Sequence, residues 1–252
     1  MGSIVESPAA ATFDAPPESV SFDGFLFDMD GTIIDSTAAV VKHWETVGQE
    51  IGVSPEVILQ TSHGRRSIDI LRILAPEKAN WEYVKHMEGL LPKFHGADAV
   101  EIPGARDLLQ GLIARDAPWA IVTSGTVPLV TGWLGVLKLP APEHLVTAES
   151  VTDGKPDPAC YLLGRERLGL AGPDKQVLVL EDSPAGIRAG KDAGCKVLAV
   201  VTSHTANEVL SAGPDWVVKD LASVRFVGGT SGDSSKVTLE ISNALVTKNT
   251  RA

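Results

Sequence analysis

The stretch Phe25-Leu-Phe-Asp-Met-Asp-Gly-Thr-Ile-Ile-Asp35 constrains this chain more than any other. A short apolar run leads into Asp28 and Asp30, one residue apart, and then at once into Gly31 and Thr32. An apolar run ended by a glycine turn reads as a buried strand. Alternate side chains of a strand share a face, so Asp28 and Asp30 start on the same side. They stand at the strand's C-terminal edge, where open α/β sheets place ligands. Two carboxylates held there are costly unless a proton or a cation compensates them. The arrangement suits a nucleophile beside an acid/base, with a divalent metal close by. The competing reading is a strand end with one turn Asp and one helix-capping Asp. An uninterrupted Asp-x-Asp-Gly-Thr after an apolar strand weighs against it.

Asp28-Met-Asp-Gly-Thr32 resembles the first motif of the haloacid dehalogenase superfamily of phosphohydrolases. Three more stretches follow in that family's order. Trp119-Ala-Ile-Val-Thr-Ser-Gly125 ends in hydroxyls, with Thr123 at the second motif's Thr/Ser position. Asp153-Gly-Lys-Pro-Asp-Pro158 places Lys155 as the lysine of the third. Val177-Leu-Val-Leu-Glu-Asp-Ser-Pro-Ala-Gly-Ile187 runs into the acid pair Glu181-Asp182, similar to the fourth. The resemblance covers roughly residues 22 to 220. Ser62-His-Gly-Arg65, Ile102-Pro-Gly-Ala105 and Ala189-Gly-Lys-Asp-Ala-Gly-Cys195 add a resemblance to the fungal subgroup of glycerol-3-phosphatases and 2-deoxyglucose-6-phosphatases.

The residue pattern and the resemblance imply one fold class. Apolar runs recur at Phe25–Phe27, Trp119–Val122, Val177–Leu180, Val197–Val201 and Trp216–Val218, with helical patterns and glycine turns between them. Such alternation predicts a parallel sheet covered on both faces. Residues 36–103 differ: Ala38–Ile51, Pro55–Thr61, Ser67–Leu74 and Trp81–Leu91 carry helical patterns with no clear strand. In the first, Val41, Trp44, Val47, Gly48 and Ile51 share a face. The expected architecture is therefore an α/β, Rossmann-like parallel-sheet core with a small all-helical cap domain inserted after the first strand. The core spans 22–35 and 104–252, the cap 36–103, and residues 1–21 form a flexible lead. Gly228–Ser235 reads as a loop before a strand-like Lys236-Val-Thr-Leu-Glu-Ile241.

Composition narrows the function classes. With 252 residues and 44% hydrophobic content, the chain can bury a substantial core. A formal net charge of -10 disfavours nucleic acid and anionic membranes as partners. A phosphorylated substrate then needs a local positive pocket. The two cysteines, Cys160 and Cys195, show no metal-ligand spacing and read as packed thiols of a cytoplasmic protein. No run approaches the roughly 18 apolar residues that span a bilayer. The first 21 residues lack the basic and apolar regions of a secretory signal.

The resemblance assigns roles residue by residue. Asp28 is the nucleophile that forms an aspartyl-phosphate, and Asp30 the general acid/base. Asp28, the backbone carbonyl of Asp30, and Asp182 hold Mg²⁺, with Glu181 a direct or water-mediated partner. Lys155 offers a compact charge to the phosphate and to Asp28. Thr123 donates a hydroxyl to a phosphate oxygen, and Ser124 and Gly125 add donors at a helix start. Ser124 also fits a simple helix cap. His63, Gly64 and Arg65, followed by Arg66, form the candidate substrate-recognition turn, against a solvated basic loop. The other histidines read as surface or packing residues.

The expected activity is a Mg²⁺-dependent phosphomonoester hydrolase acting, as a monomer, on a small polyol or sugar phosphate. Two other classes stay open. A β-phosphoglucomutase-like enzyme shares all four motifs, but that family carries a cap histidine where this chain has Val40. A receiver-like domain that only stores phosphate on an Asp uses similar residues. It has no use for Asp30 or a helical lid.

Overall fold

The computed structural model describes residues 12–62, 64–227 and 236–246. Its centre is a six-stranded parallel sheet, five strands of which follow the apolar runs. The chain first lays down strand β1 (Glu18–Phe22), then β2 (Gly24–Phe27) and the short β3 (Ile34–Asp35). Helices α1 (Thr37–Ile51), α2 (Pro55–Ser62), α3 (Ser67–Leu74) and α4 (Trp81–His95) come next, before β4 (Val100–Glu101). The alternating part continues with α5 (Ala105–Ile113), β5 (Trp119–Val122), α6 (Val127–Leu137), β6 (His144–Val146) and α7 (Ala159–Arg167). It ends with β7 (Val177–Glu181), α8 (Pro184–Asp192), β8 (Lys196–Val200), α9 (Ala206–Ser211) and β9 (Trp216–Val218). Strands β10 (Val224–Phe226) and β11 (Val237–Ile241) follow.

The parallel sheet runs β6-β5-β2-β7-β8-β9. From β2 the chain builds outward on one side to β5 and β6, then returns to the other side with β7. The order thus reverses around β2, which opens a crevice at the C-terminal ends of β2, β5 and β7. Strand alternation splits the core between the two faces. Phe25, Phe27, Ile121, Leu178 and Leu180 pack on one side, and Leu26, Ala120, Val122, Val177 and Val179 on the other. Burial on both faces explains why these strands read as continuous apolar runs. The α/β class and the parallel sheet are as expected.

Helices α1 to α4 leave and rejoin the sheet through a two-stranded antiparallel ribbon, β3 with β4. They carry a core of their own, built on Trp44, Val47, Ile58, Ile68, Ile70, Leu71 and Val84. In α1, Trp44, Val47 and Gly48 are buried, together with Ala39 and His43. Val41 and Ile51 are only half-buried. Asn80 starts α4 by accepting the Tyr83 backbone N–H at 2.9 Å, which satisfies one orphan donor of the first turn.

Two features depart from the sequence reading. The expected flexible lead stops short, because Glu18–Phe22 is a strand, paired antiparallel with β11 from Glu18–Ile241 to Phe22–Val237. Strand β10 completes that small sheet. Phe22 and Leu239 are fully buried there, so the alternation in Ser-Val-Ser-Phe22 has a core to serve. Strand β6 was not anticipated, since its three residues begin with a histidine and form no apolar run. Residues 1–11, His63, the expected loop 228–235 and residues 247–252 lie outside the described residues.

Candidate active site

The first acid is set by sheet pairing. The Asp28 backbone N–H donates to Leu180 O at 3.0 Å, extending the β2–β7 register one residue past the strand. Gly31 follows at φ 92°, in the left-handed region that favours glycine. A Cβ there would collide with the Asp182 carboxylate. The Asp-x-Asp-Gly turn therefore brings the ends of β2 and β7 together.

Lys155 reaches into this junction from the loop before α7. Its Nζ donates to Asp28 Oδ1 at 2.6 Å, Glu181 Oε1 at 2.7 Å and Val122 O at 3.1 Å. An ammonium has three donors, so this set orients it completely. Burial works against its charge, but Asp28 and Glu181 outweigh burial and hold its pKa above the ordinary lysine value. Burial also drives Asp28 well above the carboxylate range, with Lys155 opposing and Glu181 and Asp182 adding to the rise.

Glu181 is fully buried. Its Oε1 accepts from Lys155 and from the Tyr161 hydroxyl at 2.8 Å. Its Oε2 accepts from the Asp182 and Ser183 backbone N–H groups at 2.9 and 3.0 Å and from Ser183 Oγ at 3.1 Å. Burial favours the neutral acid, but Lys155 and these donors overcome it and hold the pKa below the ordinary value. Asp182 accepts from Thr32 Oγ1 at 3.1 Å and from Ser203 Oγ. Burial, aided by the Glu181 charge, pushes it up to about 7. Asp28, Glu181 and Asp182 each offer a carboxylate oxygen within 4.8 Å of the others. All are hard oxygen donors, and their combined charge exceeds that of Lys155, so the group could hold a divalent cation.

Asp30 accepts from Ser36 Oγ at 2.6 Å. Its pKa is raised by burial, with the Ser36 bond working the other way. Asp28, Asp30, Thr123 and Asp182 open onto one cavity of about 100 Å³ beneath the helical segment. Thr123 is buried, and its Oγ1 accepts the Gly125 N–H at 3.0 Å. The Ser124 hydroxyl donates to Gly64 O at 2.9 Å, so its proton is spent on the helical segment. Gly64 and Arg65 line the cavity. His63 lies outside the described residues. Arg66, its neighbour in the expected recognition turn, faces away from the cavity. It is 2% exposed and donates to Val151 O at 2.8 Å and Thr152 O at 2.9 Å. It thereby ties the helical segment to the core.

Two residues that sequence reasoning passed over also line the cavity, His43 on α1 and Glu88 on α4. For His43 the available signal was its position one residue before Trp44 on a buried helical face. Glu88 accepts from Ser67 Oγ at 2.6 Å and from the Thr126 N–H at 2.7 Å. Burial pushes its pKa from 4.5 to about 7, against both hydrogen bonds and with the Asp30 charge adding to the rise. Between those values the folded chain keeps a proton that the unfolded chain has lost, so stability falls as pH rises from 4.5 to about 7. A Gln amide can accept from Thr126 and donate to Ser67. Glu88→Gln is therefore expected to raise Tm more at pH 8 than at pH 5, measured by thermal melts. An equal change at both pH values would contradict a buried, proton-holding Glu88.

Residues 25–200 match the family model described as haloacid dehalogenase-like hydrolase. The chain is 38% identical over 239 residues to glycerol-1-phosphate phosphohydrolase 1 of Saccharomyces cerevisiae, covering 92% of this chain and 95% of that protein. It is 39% identical over 219 residues to hexitol phosphatase A of Escherichia coli, covering 83% and 96%. Similarity to 2-deoxyglucose-6-phosphate phosphatase 1 of S. cerevisiae is 33% over 242 residues, covering 89% and 97%. The family match runs from β2 through β8 and includes the buried acids and Lys155 at the sheet edge, and the chain belongs to the haloacid dehalogenase-like hydrolases.

Proposed function

We propose that this protein is a Mg²⁺-dependent phosphomonoester hydrolase acting on a small polyol or sugar phosphate of the glycerol phosphate or deoxyhexose phosphate type. The observation that carries the reading is the opening of Asp28 and Asp30 onto one small cavity, with Lys155 locked onto Asp28. Relatives named for glycerol, hexitol and deoxyglucose phosphates support the substrate class.

Asp28 attacks phosphorus in line and forms an aspartyl-phosphate as the ester bond breaks. Asp30 gives its proton to the leaving alkoxide, then takes one from the water that cleaves the intermediate. Its raised pKa keeps that proton available for the first step. Lys155 holds Asp28 in place and balances charge as the phosphate arrives. Thr123 supplies a hydroxyl proton to a phosphate oxygen, and Gly125 and Ser124 shape the same edge. Asp28, Asp182 and the Asp30 carbonyl are the residues that would hold Mg²⁺. When bound, Mg²⁺ neutralises the charge of the phosphate and the acids together. Glu181, already bonded through both oxygens, acts through Lys155 and the Asp182 backbone. Gly64 and Arg65, which line the cavity, serve the leaving group. The same reading takes the chain as a monomer and as cytoplasmic, the latter supported by two buried free cysteines. Among the described residues no helix is long and apolar enough to cross a membrane.

A phosphate-release screen across polyol and sugar phosphates tests the activity. Release is expected to vanish in excess EDTA and to return with added Mg²⁺. Full activity in EDTA would remove the metal from the reading, and no release from any phosphate would remove the activity.

A further inference from the structure

His43 is 7% exposed and lines the cavity above the buried acids. Its ring packs edge-on against Trp44, with centroids 5.2 Å apart. No hydrogen bond or ion pair reaches its side chain among the described residues. Burial depresses its pKa to about 4, with His95 adding to the effect. The ring is therefore neutral at physiological pH, with one N–H donor and one bare acceptor nitrogen. The buried polar atoms without a partner among the described residues do not include its nitrogens, so the cost of leaving them unpaired arises when a ligand displaces solvent from the cavity without replacing its hydrogen bonds. Its neighbours on the cavity wall do not relieve it. Val40, Trp44, Leu91 and Leu129 are largely apolar, and the Ser67 hydroxyl is bonded to Glu88.

We propose that His43 reads a hydroxyl on the carbon chain of the substrate. The inference rests on the phosphatase reading above and assigns its selectivity to a residue of α1. A hydroxyl both donates and accepts, which matches a neutral imidazole. A phosphate only accepts, and charge-bearing donors at the strand ends serve it better. Thr37, Arg65 and Ser67 also line the cavity, so His43 shares the choice of substrate with them and its removal is read as a change in preference. A substrate lacking that hydroxyl leaves His43 buried and unpaired, and sites built around a polar contact reject such analogues strongly.

The test compares glycerol phosphate with n-propyl phosphate, which keeps the phosphoester and three carbons but lacks the hydroxyls. The wild-type enzyme is expected to prefer glycerol phosphate. His43→Leu is expected to lower that preference, as a ratio of kcat/KM, by about tenfold. His43→Gln, whose amide still donates and accepts, is expected to recover part of it. Thermal melts of both variants report folding, and the preference ratio is read within each variant, so a partial loss of folded protein cancels. An unchanged ratio in His43→Leu, or no recovery in His43→Gln, overturns the inference. A wild-type enzyme that releases phosphate from no polyol or sugar phosphate instead overturns the phosphatase reading itself.

Discussion

Asp28→Asn is expected to lower kcat by at least about 10⁴-fold, the scale seen when a covalent catalyst loses its nucleophile. The amide keeps the size of the side chain, and its oxygen can still accept from Lys155, which lies 2.6 Å from Asp28 Oδ1. The amide cannot attack phosphorus. The fold is expected to persist, because burial already drives the native carboxyl well above its ordinary pKa. Burial favours a neutral side chain at this position, and the neutral amide meets that preference. Single-turnover phosphate release with a circular-dichroism melt separates the two effects. Near-normal kcat would move the nucleophile elsewhere.

Lys155→Met is expected to have the largest effect on stability, about 3–5 kcal/mol of loss, as when one partner of a buried ion pair is removed. Lys155 is 3% exposed and bonded to both Asp28 and Glu181. Met fills a similar volume but leaves two buried acids without their cation. The sign of the pH dependence follows from Glu181. In the native protein Lys155 overrides burial and holds the Glu181 pKa below 4.5. Without the lysine, burial prevails and raises it. The folded variant then keeps a proton that the unfolded chain loses above about 4.5, so its stability falls as pH rises. Urea titrations at pH 5 and pH 8 should show the larger loss at pH 8. Equal losses would mean that Lys155 acts through packing alone.

The contrast between Arg65 and Arg66 shows where sequence reading stops. Both belong to one basic turn, and both were expected near the substrate. The fold leaves Arg65 on the cavity and buries Arg66 against the carbonyls of Val151 and Thr152. Nothing local separates two adjacent arginines. What separates them is a loop more than eighty residues further along the chain. Glu181 teaches the same lesson. As half of an acid pair it reads as a metal ligand, yet Lys155, Tyr161, Ser183 and the Asp182 backbone occupy both of its oxygens.

By itself the sequence determined the α/β alternation, four of the helices between β2 and β5, and the acids that end β2 and β7. Those features depend on short-range periodicity and on apolar runs broken by turn residues, which a single stretch of chain displays. The tertiary structure alone decided that Glu18–Phe22 would pair with Val237–Ile241 at the far end of the chain. It also decided that His43 and Glu88 would face the same cavity as Asp28, and that Lys155 would find Glu181 as well as Asp28. Each of those outcomes depends on which distant groups arrive at one place and exclude water there. Burial and pairing are properties of the assembled neighbourhood, and they set the charge state of every acid in the site.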